Sequence, residues 1–165
     1  MTISILLIAV VGPMSIIARS LPQSAYARDH AIAVNLAQEG IEAVRQKRDS
    51  NMLADWNGPP DVAWDSGIEP MGYIVDPGSL AMLNNCGGAG CGNPDHLVVR
   101  QSPAGLYYQT DIANSDPKTK FQRLVVISSG SELHEKYIIS MVYWGDAIGN
   151  NYSIIAKESI SGINS

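Results

Sequence analysis

The apolar positions of this chain follow three successive rhythms, and each predicts a different kind of structure. The first is no rhythm at all. The run Met1-Thr-Ile-Ser-Ile-Leu-Leu-Ile-Ala-Val-Val-Gly-Pro-Met-Ser-Ile-Ile-Ala18 carries no charged side chain, and the first one is Arg19. A helix of that length spans about 27 Å, close to the ~30 Å of bilayer hydrocarbon. A helix apolar on every side requires lipid or the interior of a bundle. Ile3, Leu6, Leu7, Val10, Val11, Ile16 and Ile17 are therefore expected to form a transmembrane or assembly surface. Pro13 and Pro22 each remove a backbone donor and crowd the preceding turn, which predicts a kink or local melting. No helix stop is expected at Pro22, because strong helix formers resume after it. Ala25-Tyr26-Ala27 has the small-residue form of a signal-peptidase site. However, no Lys or Arg precedes the apolar run, and the helical pattern continues through the site. A retained helix is the expectation.

From Ala25 to about Leu53 the rhythm becomes helical and amphipathic. Ile32, Leu36, Ala37, Ile41, Val44 and Met52 recur at steps of three and four, with Asn35, Gln38, Glu42, Arg45 and Asp49 opposite. Ile32, Leu36, Ile41 and Val44 are thus expected to pack the helix onto a globular head. Glu42 with Arg45, and Arg45 with Asp49, have the spacing of surface pairs worth a few tenths of a kcal/mol each. They read as solvated charges. Gly40 lies on the apolar side. It either admits a close backbone neighbour or costs the helix about 1 kcal/mol. Asp55-Trp-Asn-Gly-Pro-Pro60 ends the helix. The expected organisation is a hydrophobic helix half over 1–24, an amphipathic half over 25–54 and a head over 55–165.

Residues 55–95 are rich in Gly, Pro, Asn and Asp and predict a long loop region, with one short strand at Gly72–Asp76. The third rhythm follows, with β-branched and aromatic runs at His96–Gln101, Leu106–Asp111, Phe121–Ser128 and Lys136–Trp144, and a weaker one at Tyr152–Lys157. The connections are too short for parallel crossovers, so the sheet should be antiparallel. The expected fold class is α+β: one long helix, then a meander whose inner face covers it.

Composition narrows the function. The 165 residues carry a net charge of −5, with only 16% charged side chains. An acidic chain lacks the basic stripe of a nucleic-acid binder. Cys86-Gly-Gly-Ala-Gly-Cys91 can bend its sulfurs together. A disulfide there would suit an exported setting; two free thiols are the alternative in a reducing one. Two cysteines alone do not complete a tetrahedral metal site, and no further ligand lies at a recognised spacing. His30, His96 and His134 show no metal or nucleophile motif. Asp111, Asn114 and Asp116 could offer oxygens to a calcium ion, but turns are rich in these residues anyway. Asn151-Tyr-Ser153 fits a glycosylation sequon. No catalytic motif is present, so neither an enzyme nor a cofactor is expected.

Ile3-Ser-Ile-Leu-Leu-Ile-Ala-Val-Val-Gly-Pro-Met14 resembles the interior of the N-terminal helix of type IV pilins and type II secretion pseudopilins. Tyr26-Ala-Arg-Asp-His-Ala-Ile-Ala-Val-Asn-Leu-Ala-Gln-Glu-Gly-Ile-Glu-Ala-Val-Arg-Gln-Lys-Arg-Asp49 is similar to the corresponding stretch of many minor pilin-like proteins. Phe121-Gln-Arg123 and Val142-Tyr-Trp144 resemble parts of their C-terminal sheet. The clear resemblance covers about the first 53 residues. It implies a lollipop fold whose helix anchors in the inner membrane and then joins a filament core, while the head decorates the extracellular filament. The implied partners are other pilin or pseudopilin subunits, a prepilin peptidase and an assembly ATPase. The family's basic leader ending in Gly, its Phe-Thr-Leu and the Glu at its fifth mature position have no counterpart before Thr2. The sequence is therefore expected to be truncated, with its true start upstream. The expected function is a minor pilin or pseudopilin subunit. The alternative is a membrane-tethered or secreted extracytoplasmic binding domain with no filament role.

Overall fold

The computed structural model describes residues 2–58, 62–76, 81–86, 94–110, 115–132, 134–146 and 149–162, with side chains described for all of these except 2–21, 81–86 and 94–95. Helix α1 runs from Thr2 to Trp56. Contacts divide the chain into Met1–Ile32 and Ala33–Ser165. The first unit is entirely helical from Thr2 onward, passing through Pro13 and Pro22 without a break in assignment. Within it, the Tyr26 and His30 rings meet one turn apart at 5.8 Å.

The second unit takes in the rest of α1 and the sheet. The helix ends where the sequence predicts. Asn57 and Gly58 donate to the Leu53 and Asp55 carbonyls, and Gly58 has a φ of 103°. That left-handed value is cheap only for glycine, so Gly58 lets the chain turn away as a C-terminal cap. The following segment is held by side chains. Asn51 Nδ2 donates to the carbonyls of Trp64 (3.0 Å) and Ser66 (2.8 Å). Lys136 Nζ lies 2.8 Å from Asp65 Oδ2 and 5.6 Å from the centre of the Trp64 ring.

The fold is α+β, with Ala33–Trp56 of α1 against an antiparallel sheet of seven strands among the described residues. The strands are β1 Gly72–Asp76, β2 Ala81–Cys86, β3 Val98–Gln101, β4 Tyr107–Tyr108, β5 Lys118–Ser129, β6 Glu135–Gly145 and β7 Asn151–Ser161. A one-turn helix, α2 at Pro94–Leu97, precedes β3. Only β5, β6 and β7 form the meander expected from sequence. On its other edge β5 is shared, with Tyr73 and Gly72 of β1 facing Val125 and Val126, and Val98 and Arg100 of β3 facing Gln122 and Lys118. β2 and β4 extend these two branches outward. The loop expected over 55–95 thus contains β2 as well as β1. The run Ala-Met-Leu-Asn-Asn-Cys of β2 has no β-branched or aromatic residue to announce it. Pairing with β1 supplies what local preference does not.

Alternation along the long strands decides the core. Phe121, Arg123, Val125 and Ile127 of β5 and Ile138, Ser140, Val142 and Trp144 of β6 are all buried. Ile41 and Val44 of α1 join Ile68, Tyr73, Val75, Val125, Ile127, Ile138 and Ile160 in one cluster. Gly40 is the point of closest approach: a Cβ there would lie 2.6 Å from Ser140 Oγ and 3.0 Å from Val125 Cγ2. Gly40 is thus tightly packed, but its neighbours are the Ser140 and Val125 side chains and not the backbone neighbour expected from sequence.

Candidate functional site

The fork where β1 and β3 part along β5 leaves backbone groups without strand partners, and two polar side chains fill it. Arg123 is fully buried on the helix-facing side of β5. Its Nε donates to Gln109 Oε1 at 2.8 Å. Nη2 donates to the Val75 carbonyl at 2.6 Å. Nη1 donates to the Leu36 carbonyl at 3.1 Å and to Glu39 Oε2 at 2.8 Å. Gln109, also fully buried, returns its amide to the carbonyls of Leu97 (2.9 Å) and Arg123 (2.8 Å). One guanidinium thus joins α1, β1 and β5 to the segment after β4. Burial pulls the Arg123 pKa below the ordinary arginine value, and the charges of Glu39 and Asp76 oppose that. With its N–H groups directed at acceptors already in place, Arg123 is a structural cation and not a free anion-binding group.

Other polar groups also serve the frame. Arg45 is not confined to surface pairing. It meets Glu42 one turn back and also Glu158 on β7, and these carboxylates raise its pKa, that of Glu158 most. The expected Arg45–Asp49 pair is replaced by Arg48 with Asp49 at 2.7 Å. The Tyr73 hydroxyl donates to the Glu69 carbonyl (3.0 Å) and carboxylate (3.1 Å). Burial first, then the Glu69 hydrogen bond and charge, push its pKa up to about 12. Between about pH 10 and 12 the native state therefore holds a proton that the unfolded chain has lost. Stability from this group is whole below about pH 10 and falls as pH rises towards 12. In Tyr73→Phe that part of the alkaline loss should be absent. Urea midpoints at pH 9, 10 and 11 measure this, and identical alkaline slopes in both proteins would refute it.

A concavity lies at the turn end of the β6–β7 hairpin. It has a volume of about 350 Å³ and is lined by Lys120, Gln122, Tyr143, Trp144, Gly145, Asn151 and Tyr152. Trp144 stacks on Tyr152 at 5.5 Å, and Tyr152 donates to Asp146 Oδ2 at 3.1 Å. The rim is polar, with two amides and one ammonium, and Tyr143 is exposed beside it. Among the described residues no three His, Cys, Asp or Glu side chains converge on a metal position. His30 and His134 are exposed, and Asp116 accepts from the Tyr108 hydroxyl at 2.6 Å. Asp111 and Asn114, the other two expected calcium-turn residues, lie outside the described residues.

The sequence-predicted positions fall into three groups. Leu36, Ile41 and Val44 are buried, as the amphipathic pattern requires, and Ile32 is half-buried within the first unit. Ile3, Leu6, Leu7, Val10, Val11, Pro13, Ile16 and Ile17 lie on the backbone of α1 with side chains outside the described set, while Pro22 is exposed. Among the described residues no helix is long and apolar enough to cross a membrane. The expected Cys86–Cys91 bond also falls outside: Cys91 is not described, and of Cys86 only its backbone place at the end of β2 is. Sequence reasoning gave no structural role to Gln109, Lys136 or Glu39. A signal for Arg123 did exist, since it alternates with Phe121, Val125 and Ile127 on what must be the apolar face.

Comparison of the chain with protein-family models, curated proteins and solved structures returns no match.

Proposed function

We propose that this chain is a structural subunit of a type IV pilus or type II secretion-like filament, of the minor pilin or pseudopilin kind. The observation that carries the reading is the double use of α1. Its first residues, to Ala18, are charge-free in sequence, whereas Ala33–Trp56 belongs to an α+β unit and buries Leu36, Ile41 and Val44. A helix so divided supplies a domain with an apolar extension that needs lipid or other helices around it. Assembly would move that extension from a membrane into a bundle of like helices without exposing it to water. The α+β unit, with Ala33–Trp56 of α1 against an antiparallel sheet, supports this reading beside the resemblance of the first 53 residues. Among the described residues the Arg123, Arg45 and Tyr73 networks serve the frame, which suits a structural role.

The test is a photoreactive benzoylphenylalanine at Val10, introduced in the full chain in cells that make the filament machinery. Cross-links to further copies or to other pilin subunits are expected. A chain retained in the membrane that never cross-links to such subunits would instead leave a tethered binding domain. The concavity beside Tyr143 is the feature that second reading would use.

A further inference from the structure

One edge of the sheet, β7, is unusually ready to accept another strand. β7 is eleven residues long and, among the described residues, pairs with β6 alone. Its register with β6 is unbroken from Asn151 to Ser161, with no bulge. It contains no proline. Sheet edges are ordinarily guarded by short strands, bulges, proline or several charges. Here Lys157 is the one outward-facing charge, and Ile155 on the same face is 54% exposed.

The hydrogen-bond parity of the edge is fixed. Asp146 N donates to the Asn150 carbonyl, and Gly162 N donates to that of His134. Both pairs belong to the ladder in which even-numbered residues of β7 bond to β6. The N–H and C=O groups of Asn151, Ser153, Ile155, Lys157 and Ser159 therefore point away from the sheet. The outer face adds an apolar lead to this edge. Leu124 stands opposite Met141, and Met141 opposite Ile155, so one row crosses three strands and ends at β7.

We propose that β7 is an interaction edge and that its occupant is β7 of a second copy of this chain, antiparallel about a twofold axis through Ile155. This register brings outward-pointing residues opposite one another: Ile155 meets its twin, Ser153 meets Lys157 and Asn151 meets Ser159. It opposes no like charges, and it continues the apolar row into the second sheet. Moving the axis to Lys157 would set two ammonium groups face to face, and moving it to Ala156 would set Ile155 against Lys157. The argument does not rest on the filament reading, because α1 takes no part in it.

The test uses two differently tagged full-length chains, co-purified from detergent micelles. Wild type should capture wild type. Ile155→Lys should capture Ile155→Lys about tenfold less well, since like charges would oppose each other across the axis. Ile155→Lys mixed with Ile155→Glu should recover to within about twofold of wild type. Residue 155 is exposed, and unchanged near-ultraviolet circular dichroism would show that each variant is folded. Equal capture in every combination would overturn the proposal by placing self-association elsewhere. Loss without recovery in the mixture would also overturn it, as would wild-type chains that fail to capture each other, the outcome expected if the edge serves a strand of another protein.

Discussion

Replacing Glu39 with leucine should lower the unfolding free energy by about 3 kcal/mol, because it takes the hydrogen-bonded carboxylate from a buried guanidinium and leaves only the weaker effect of Asp76. Glu39 is 35% exposed while Arg123 is completely buried, so the loss falls mainly on the arginine. Arg123→Met should cost a similar amount for another reason. It leaves the Val75 carbonyl without the arginine donor that reaches it at 2.6 Å, and it reduces the Gln109 side-chain oxygen to the longer bond from Val75 N at 3.5 Å. A buried acceptor that loses its partner costs about 1–3 kcal/mol. The double variant Glu39→Leu/Arg123→Met should fall short of the sum by about 2 kcal/mol, since the carboxylate has little left to do once the cation is gone. Urea unfolding of the four proteins, followed by tryptophan fluorescence, completes the cycle. Additive losses, or single losses below about 1 kcal/mol, would show that the fork is held by its strands alone.

Gly40→Leu is expected to be comparably damaging. The first carbon of any side chain there would stand 2.6 Å from Ser140 Oγ and 3.0 Å from Val125 Cγ2, well inside ordinary contact. Overpacking of this kind costs about 1–3 kcal/mol, and the branched leucine belongs at or above the upper end. Gly40→Ala carries the same clash at its smallest, offset by about 1 kcal/mol of helix propensity. It should therefore be only mildly destabilising. Ser140 provides the control. Its hydroxyl is the buried side-chain polar atom without a hydrogen-bond partner among the described residues. Trimming it to alanine removes the nearer obstacle and sacrifices no bond, while Val125 Cγ2 stays at 3.0 Å. Gly40→Ala/Ser140→Ala should regain part of what Gly40→Ala loses. Thermal melts of these variants measure the effect, and a Gly40→Leu protein as stable as wild type would mean that the helix does not sit this close to the sheet.

These sites differ in how far the sequence exposes them. The apolar face of α1 was plain because its period is local: Leu36, Ile41 and Val44 share a stripe whatever they pack against. The strands β5 and β6 are equally plain over Phe121–Ser128 and Lys136–Trp144, where alternation and β-branched content agree, and the structure extends them to twelve and eleven residues. β7 was underestimated at its end, where Glu158 and Ser159 interrupt the pattern but Lys136 and Tyr137 of β6 still supply partners. The interior place of Arg123 could have been inferred from parity. Its partners could not: Gln109, Glu39 and the Leu36 carbonyl lie 14, 84 and 87 positions away.

The sequence by itself determined what repeats along the chain. It set the charge-free opening, the amphipathic helix and its end within Asp55–Pro60, the α+β class and the antiparallel sense of the sheet, because periodicity and short connections act through neighbouring residues. Only the tertiary structure decided which strands share an edge, why Gly40 must be small and how one buried arginine closes the fork. It also showed that, among the described residues, β7 pairs on one side alone. Those outcomes depend on distances between residues remote in sequence, and they are set when the layers close and each buried polar group must find a partner.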